Sequence, residues 1–231
     1  MAKGPTMINF IFMLTHSDST IEDALDYVET LADTGLRYIG FKDVGATPER
    51  QQAIAQAARD AGFETMLEVV SVTEEDELNS IHAALNAGVD WILGGTHSDV
   101  VLPLLEGSPA KYCPFPGRVA GHPSILKGSI EEIAEHAATL TSLPGVYGLD
   151  LLAYRHQSVN IEDLTRAVVN ASSGPVIAAG SVVDDHQIRL LASAGAWGFT
   201  IGSAIFDNLF PGAPDVAAQV RHVLDVASST P

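Results

Sequence analysis

The chain has 231 residues, 46% of them hydrophobic, with 12 basic against 29 acidic side chains and a formal net charge of −17. That size can bury a large core, and no Pro-, Ser- or charge-rich linker breaks the middle, so a single domain spanning 1–231 is expected. The acidic balance argues against nucleic acid or an anionic membrane as partner, since both need a basic surface.

The opening MAKGPTM lacks the apolar run of a signal peptide, and Ile8 to Leu14 is too short to span a membrane. Met7 is an alternative start, which would make residues 1–6 a tag or a ragged extension. The lone cysteine, Cys113, excludes an internal disulfide and suits a reducing cytoplasm.

An apolar run over 7–14 predicts the first strand. Ile21, Ala24, Leu25, Val28 and Leu31 then recur at helical spacing and predict one apolar stripe. Asp33-Thr-Gly35 ends that helix, with the glycine suited to a left-handed C′ position, and a strand follows at 37–43. The same phrase returns at Asp60-Ala-Gly62, Asn86-Ala-Gly88 and Ser193-Ala-Gly195, each time leading into an apolar run. Helix starts are marked by Thr47-Pro48-Glu49, with proline at the first helical position, and by the capping box Ser129-Ile-Glu-Glu132.

Eight strands result, at about 7–14, 37–43, 63–70, 90–95, 111–115, 145–151, 175–180 and 197–202, each followed by a helical segment. Such alternation predicts an α/β fold with a parallel sheet, and eight units in this length predict a compact (βα)8 TIM barrel. A doubly wound open sheet is the alternative, but the G-x-G-x-x-G fingerprint after the first strand is absent. Barrel active sites lie at the C-terminal strand ends, and phosphate is often held after strands 7 and 8 by a short extra helix.

By count, Pro175-Val-Ile-Ala-Ala-Gly180-Ser181 and Gly198-Phe-Thr-Ile-Gly202-Ser203-Ala-Ile are those strands, and Ala204 to Asn208 is the short helix. Bare glycine turns let main-chain N–H groups close on an anion. This stretch, residues 174–208, resembles the phosphate-binding (βα)8 enzymes. These include N-acetylmannosamine-6-phosphate epimerase, thiamine phosphate synthase and the histidine- and tryptophan-pathway sugar isomerases. The resemblance implies that Gly180, Ser181, Gly202 and Ser203 hold a substrate phosphate.

The remaining strands match no one member. Strand 1 ends Leu14-Thr15-His16 where the histidine-pathway pattern has Asp. The decarboxylase pattern Asp-x-Lys-x-x-Asp is absent from strand 3, and paired metal-binding His and Asp residues are not recognisable. Tyr38-Ile-Gly-Phe-Lys42 is similar to the catalytic-lysine stretch of the aminosugar epimerase. Ile39-Gly-Phe-Lys42-Asp43 also looks like the Schiff-base strand of dihydrodipicolinate-synthase-type aldolases, where it is strand 6 rather than strand 2.

Strand parity selects side chains. With Ile39 and Phe41 facing the helices, Tyr38, Gly40 and Lys42 point into the barrel. Glu64, Met66 and Glu68 share one parity, as do Gly148 and Asp150. Lys42, Glu68 and Asp150 are therefore expected to converge at the mouth as catalytic groups. A partly buried lysine is expected to have a lowered pKa and to act as a base or form a Schiff base, with a carboxylate as partner acid.

His82, His136, His186 and His222 fall in predicted helices, whereas His16, His97, His122 and His156 each follow a strand. Of these, His97 and His122 are candidate substrate-binding residues, together with Arg155, which could take a second anionic group. The loop from Gly121 to Gly128 could cover the mouth. No ligand spacing for a metal is present, so neither metal nor cofactor is predicted.

The expected function is a cytoplasmic isomerase or epimerase of a small phosphorylated carbonyl compound, most simply a sugar phosphate. A Schiff-base aldolase or lyase using Lys42 is the first alternative, and a barrel that binds a phosphometabolite without turnover is the second. The expected partners are the small phosphorylated substrate and, as one expectation, further copies of the chain in a homo-oligomer.

Overall fold

The computed structural model describes residues 7–229; the proposed extension 1–6 lies outside them. Eight parallel strands form one sheet: β1 (Asn9–Met13), β2 (Tyr38–Lys42), β3 (Glu64–Val69), β4 (Trp91–Gly94), β5 (Lys111–Cys113), β6 (Leu149–Leu151), β7 (Val176–Ala178) and β8 (Gly198–Ile201). Their order is β6-β7-β8-β1-β2-β3-β4-β5. A parallel bridge between Tyr112 and Val146 brings β5 and β6 together, so the sheet closes into the (βα)8 barrel that the alternation predicts.

That last seam is irregular. Strand 6 was expected over 145–151, but regular ladder begins only at Leu149. Pro114, just beyond β5, has no N–H to donate, so pairing there continues only through its carbonyl, which accepts from Asp150 N at 3.1 Å.

The helices are α1 (Ala24–Leu31), α2 (Pro48–Asp60), α3 (Glu74–Ala87), α4 (Ser98–Leu104), α5 (Ile130–Thr141), α6 (Ile161–Ala171), α7 (Asp185–Ser193), α8 (Ser203–Phe206) and α9 (Val216–Ser228). Their ends follow the sequence signals. Thr47 accepts from Arg50 N with proline in the first turn of α2, and both halves of the Ser129/Glu132 capping box are made. Gly88 closes α3 at φ 66°, in the left-handed region. One expectation fails locally: Leu25 is 42% exposed, because α1 begins at Ala24 and buries Ala24, Val28 and Leu31, one position out of phase with Leu25.

Alternate residues of each strand separate two apolar layers. Phe10, Phe12, Ile39, Phe41 and Phe199 pack outward under the helices, while Ile11, Met13, Met66, Leu93 and Ile177 fill the barrel. At the N-terminal end, Tyr38 meets Trp197 at 5.4 Å between ring centroids and Trp197 meets Trp91 at 5.1 Å, so aromatic rings plug that end. Lys42, Glu68 and Thr200 lie at the C-terminal ends of β2, β3 and β8. The interior thus runs from an aromatic floor to a polar mouth.

Candidate active site

Lys42 ends β2 opposite Glu68 of β3, its register partner. The side chain of Thr20 pins the Lys42 backbone, accepting from its N–H at 2.9 Å and donating to its carbonyl at 2.8 Å. The ammonium is therefore aimed by strand and loop together. Lys42 Nζ lies 3.7 Å from Glu68 Oε2, and both side chains are at least 90% buried.

A third group completes the cluster. Thr15–His16 and Ser19–Thr20 form a small antiparallel ladder beyond β1, joined by Ser17 and Asp18 at φ 49° and 62°. This is the left-handed turn geometry of a two-residue hairpin, held here by two residues that are not glycine. Asp18 Oδ1 accepts from Lys42 Nζ at 2.7 Å. Arg155 Nη2 donates to both oxygens of the same carboxylate, at 2.8 and 3.0 Å. Asp18 was not singled out in the sequence; the Ser-Asp pair between two short extended segments was the available signal.

These charges set one another. Burial alone would lower the Lys42 pKa, as the sequence suggested, but the carboxylates of Glu68 and Asp18 outweigh it and the pKa is raised instead. Asp18 goes the other way: burial disfavours its charge, yet Lys42 and Arg155 prevail and hold it below the usual carboxylate range. Glu68 is shifted upward by burial, against the pull of Lys42. Both shifts favour the charged forms, an ammonium ion at Lys42 and a carboxylate at Asp18.

Asp150 occupies a different place from the one expected. It points into the barrel, as parity requires, but it is fully buried and does not line the cavity at the mouth. Among the described residues neither carboxyl oxygen has a hydrogen-bond partner. Burial, reinforced by the Glu68 charge, raises its pKa well above the ordinary value.

That cavity, of about 190 Å³, opens at the C-terminal strand ends. Lys42, Glu68, Asp18 and Arg155 form one wall, and the turns at 180–183 and 202–204 another. Gly180 and Ser181 are both left-handed, at φ 79° and 58°. Among the described residues no group accepts from the N–H of Gly180, Ser181 or Val182. The first N–H groups of α8 lack helical partners by geometry.

Both glycines also answer to packing. A Cβ at Gly180 would come within 2.7 Å of Arg155 Cγ, and one at Gly202 would strike Thr15. The Ser203 hydroxyl accepts from Ser17 N at 3.1 Å, tying the turn at 202–204 to the Asp18 hairpin.

Of the three residues expected to bind substrate, only Arg155 lines the cavity. His97 is instead held by the buried Glu77 of α3, with Nδ1 at 2.7 Å from Oε2, and Glu77 also accepts from the N–H groups of Thr96 and His97. His122 is exposed beside the hairpin formed by Arg118–Ala120 and Ile125–Lys127. That loop does reach the mouth, but through Ser124.

No family model matches the chain, and no curated protein matches it. Solved structures do. Native KDPGal superposes with a TM-score of 0.66 at 17% identity, over 98% of this chain and 97% of that one. Orotidine 5'-phosphate decarboxylase from Pyrococcus horikoshii OT3 gives 0.62 at 14%, over 93% and 98%. The YdjI aldolase from Escherichia coli K12 gives 0.64 at 14%, over 97% and 92%. The likeness is one of fold. No helix among the described residues is long and apolar enough to cross a membrane.

Proposed function

We propose that this chain is an enzyme that moves a proton beside the carbonyl group of a small phosphorylated compound, as an isomerase or epimerase of sugar phosphates does. One observation carries the reading: Lys42 and Glu68 share a single cavity with the turns at Gly180–Ser181 and Gly202–Ser203. The free N–H groups of those turns would hold the phosphate. The Lys42 ammonium would polarise the carbonyl oxygen, a role that suits its raised pKa. Glu68, whose raised pKa makes it a stronger base once ionised, would take the proton from the neighbouring carbon. The electron pair left behind becomes an enediolate on the oxygen beside Lys42. Glu68 would return the proton to the former carbonyl carbon while the neighbouring hydroxyl proton passes to the old carbonyl oxygen, which completes an isomerisation. Delivery of a proton to the opposite face of the original carbon by a second acid would instead give the epimer. Asp150, without a hydrogen-bond partner and buried, would hold a proton close to Glu68.

The test is proton exchange. With a panel of ketose and aldose phosphates in D2O, NMR should show deuterium entering next to the carbonyl, and Glu68→Gln should slow this at least ~100-fold. Absence of exchange with every member of the panel would count against the reading.

A lyase acting through a Schiff base on Lys42 is the second reading. It is favoured by the 3.7 Å approach of Glu68 Oε2, which offers an acceptor for the lysine proton, and by the fold shared with an aldolase. Borohydride added with a turning-over substrate would tie that substrate to Lys42 only if this reading holds.

A further inference from the structure

We propose that Arg155 and Lys42, whose ammonium has donors for both a carboxylate oxygen and the adjoining carbonyl oxygen, form a carboxylate-binding subsite which Asp18 fills in this structure, so that the substrate carries a carboxylate as well as a phosphate. This deepens the proposed function, and the phosphate half rests on that reading.

Two cations converge on one carboxylate at the mouth of the cavity, at 2.7 Å from Lys42 and at 2.8 and 3.0 Å from Arg155. In a chain of net charge −17 with 12 basic residues, placing two of them on a single carboxylate concentrates positive charge where a ligand would enter. Arg155 is not saturated. Its Nε is buried with no partner among the described residues, so the guanidinium keeps an unused donor for a planar, two-oxygen group.

The occupant is mounted so that it can leave. Asp18 is at the tip of a two-residue turn, in the left-handed region, on a ladder of two residue pairs. The hairpin is tethered by Ser17 N to Ser203 Oγ at 3.1 Å and by His16 Nε2 to Asp207 Oδ1 at 3.0 Å, both exposed contacts that water can replace. Exchange of one carboxylate for another conserves charge around Lys42, Arg155 and Glu68. A neutral group in the same place would leave both cations facing Glu68 alone, which is why the ligand is assigned a carboxylate.

Three probes separate the parts: glycerol 3-phosphate, 3-phosphoglycerate, which differs from it by a carboxylate in place of a hydroxymethyl group, and glycolate, which has the carboxylate and no phosphate. Binding is measured by calorimetry on the full chain, and thermal unfolding monitors folding. The wild type should bind 3-phosphoglycerate at least ~10-fold tighter than glycerol 3-phosphate. The acidic field of the protein opposes that order, so it must come from local cations. Arg155→Met should abolish the preference.

Asp18→Asn, which keeps the hairpin's shape, should tighten 3-phosphoglycerate and glycolate by at least ~10-fold. In Asp18→Ala, the lowered melting temperature should be restored by glycolate. Equal binding of the two phosphates in wild type and Asp18→Asn overturns the carboxylate inference and leaves the phosphate reading standing. Glycolate binding to Asp18→Asn without any phosphate-dependent affinity sustains the carboxylate subsite and removes the phosphate reading. Failure of every probe, with both Asp18 variants folded, overturns both.

Discussion

Lys42 Nζ donates to Asp18 Oδ1 at 2.7 Å, while Glu68 Oε2 stands 3.7 Å from the same nitrogen. The lysine is therefore flanked by two carboxylates in a largely buried setting, and its charge is fixed by them rather than by the apolar barrel beneath.

The sign of the pH dependence follows. Burial pulls the Lys42 pKa down, but Glu68 and Asp18 push harder, so the folded value lies above 10.5. Its stabilising contribution is complete below about pH 10.5 and lost as pH rises through the folded value. Lys42→Met should lower unfolding free energy by about 3 kcal/mol at neutral pH, since it leaves buried carboxylates facing a neutral side chain. Urea unfolding at neutral and strongly alkaline pH should show the gap to the wild type shrinking at the alkaline end.

Asp150 should behave in the opposite sense. Burial first, and Glu68 second, raise its pKa well above 3.8, so above that pH the folded chain binds more protons at this site than the unfolded chain. Stability then falls as pH rises from about 4 toward the folded pKa. Asp150→Asn should remove that slope and leave the protein at least as stable near pH 8. If Asp150 also holds a catalytic proton, turnover should drop by about 100-fold or more in the same variant. Melting curves across pH and a single activity assay separate the two effects.

Gly180 and Gly202 are constrained by their neighbours as well as by any anion. Gly180→Ala forces a side chain into the left-handed region at φ 79° and against Arg155 Cγ. A loss of about 1–3 kcal/mol is expected. Inorganic phosphate affinity should fall with it, whereas Gly212→Ala, at φ 120° with nothing within 4 Å, should cost stability without touching phosphate binding. Calorimetric titration of both variants makes the comparison.

His97 should prove to be a structural residue. Its backbone and Nδ1 are engaged by Glu77, which is itself fully buried. Glu77→Gln is expected to cost about 2 kcal/mol, because it weakens a buried charge-assisted cluster. His97→Ala should change KM by less than about 2-fold. A large KM effect from His97→Ala would return this histidine to the substrate site.

Much of this protein was written along the chain in short-range signals. Apolar alternation gave eight strands. Thr47-Pro48, Ser129–Glu132 and the Ala/Thr-Gly phrases gave helix ends, and parity alone directed Lys42, Glu68 and Asp150 into the barrel. These features depend on a few neighbouring residues, so sequence determines them. Depth, charge and partnership do not. Parity could aim Asp150 inward but not say that it would be sealed below the mouth, nor that β6 would be ladder only from Leu149.

Burial suggested a lowered pKa for Lys42, and the fold reversed it by bringing up Glu68 from the neighbouring strand and Asp18, 24 positions away in the chain. His97 and His122 followed strands, as substrate ligands often do, yet closure of the barrel gave one to Glu77 and the other to solvent. Electrostatic environment is a sum over groups distant in sequence and close in space. Only the closed barrel, which sets those distances, could decide which side chains share the cavity and in what charge state.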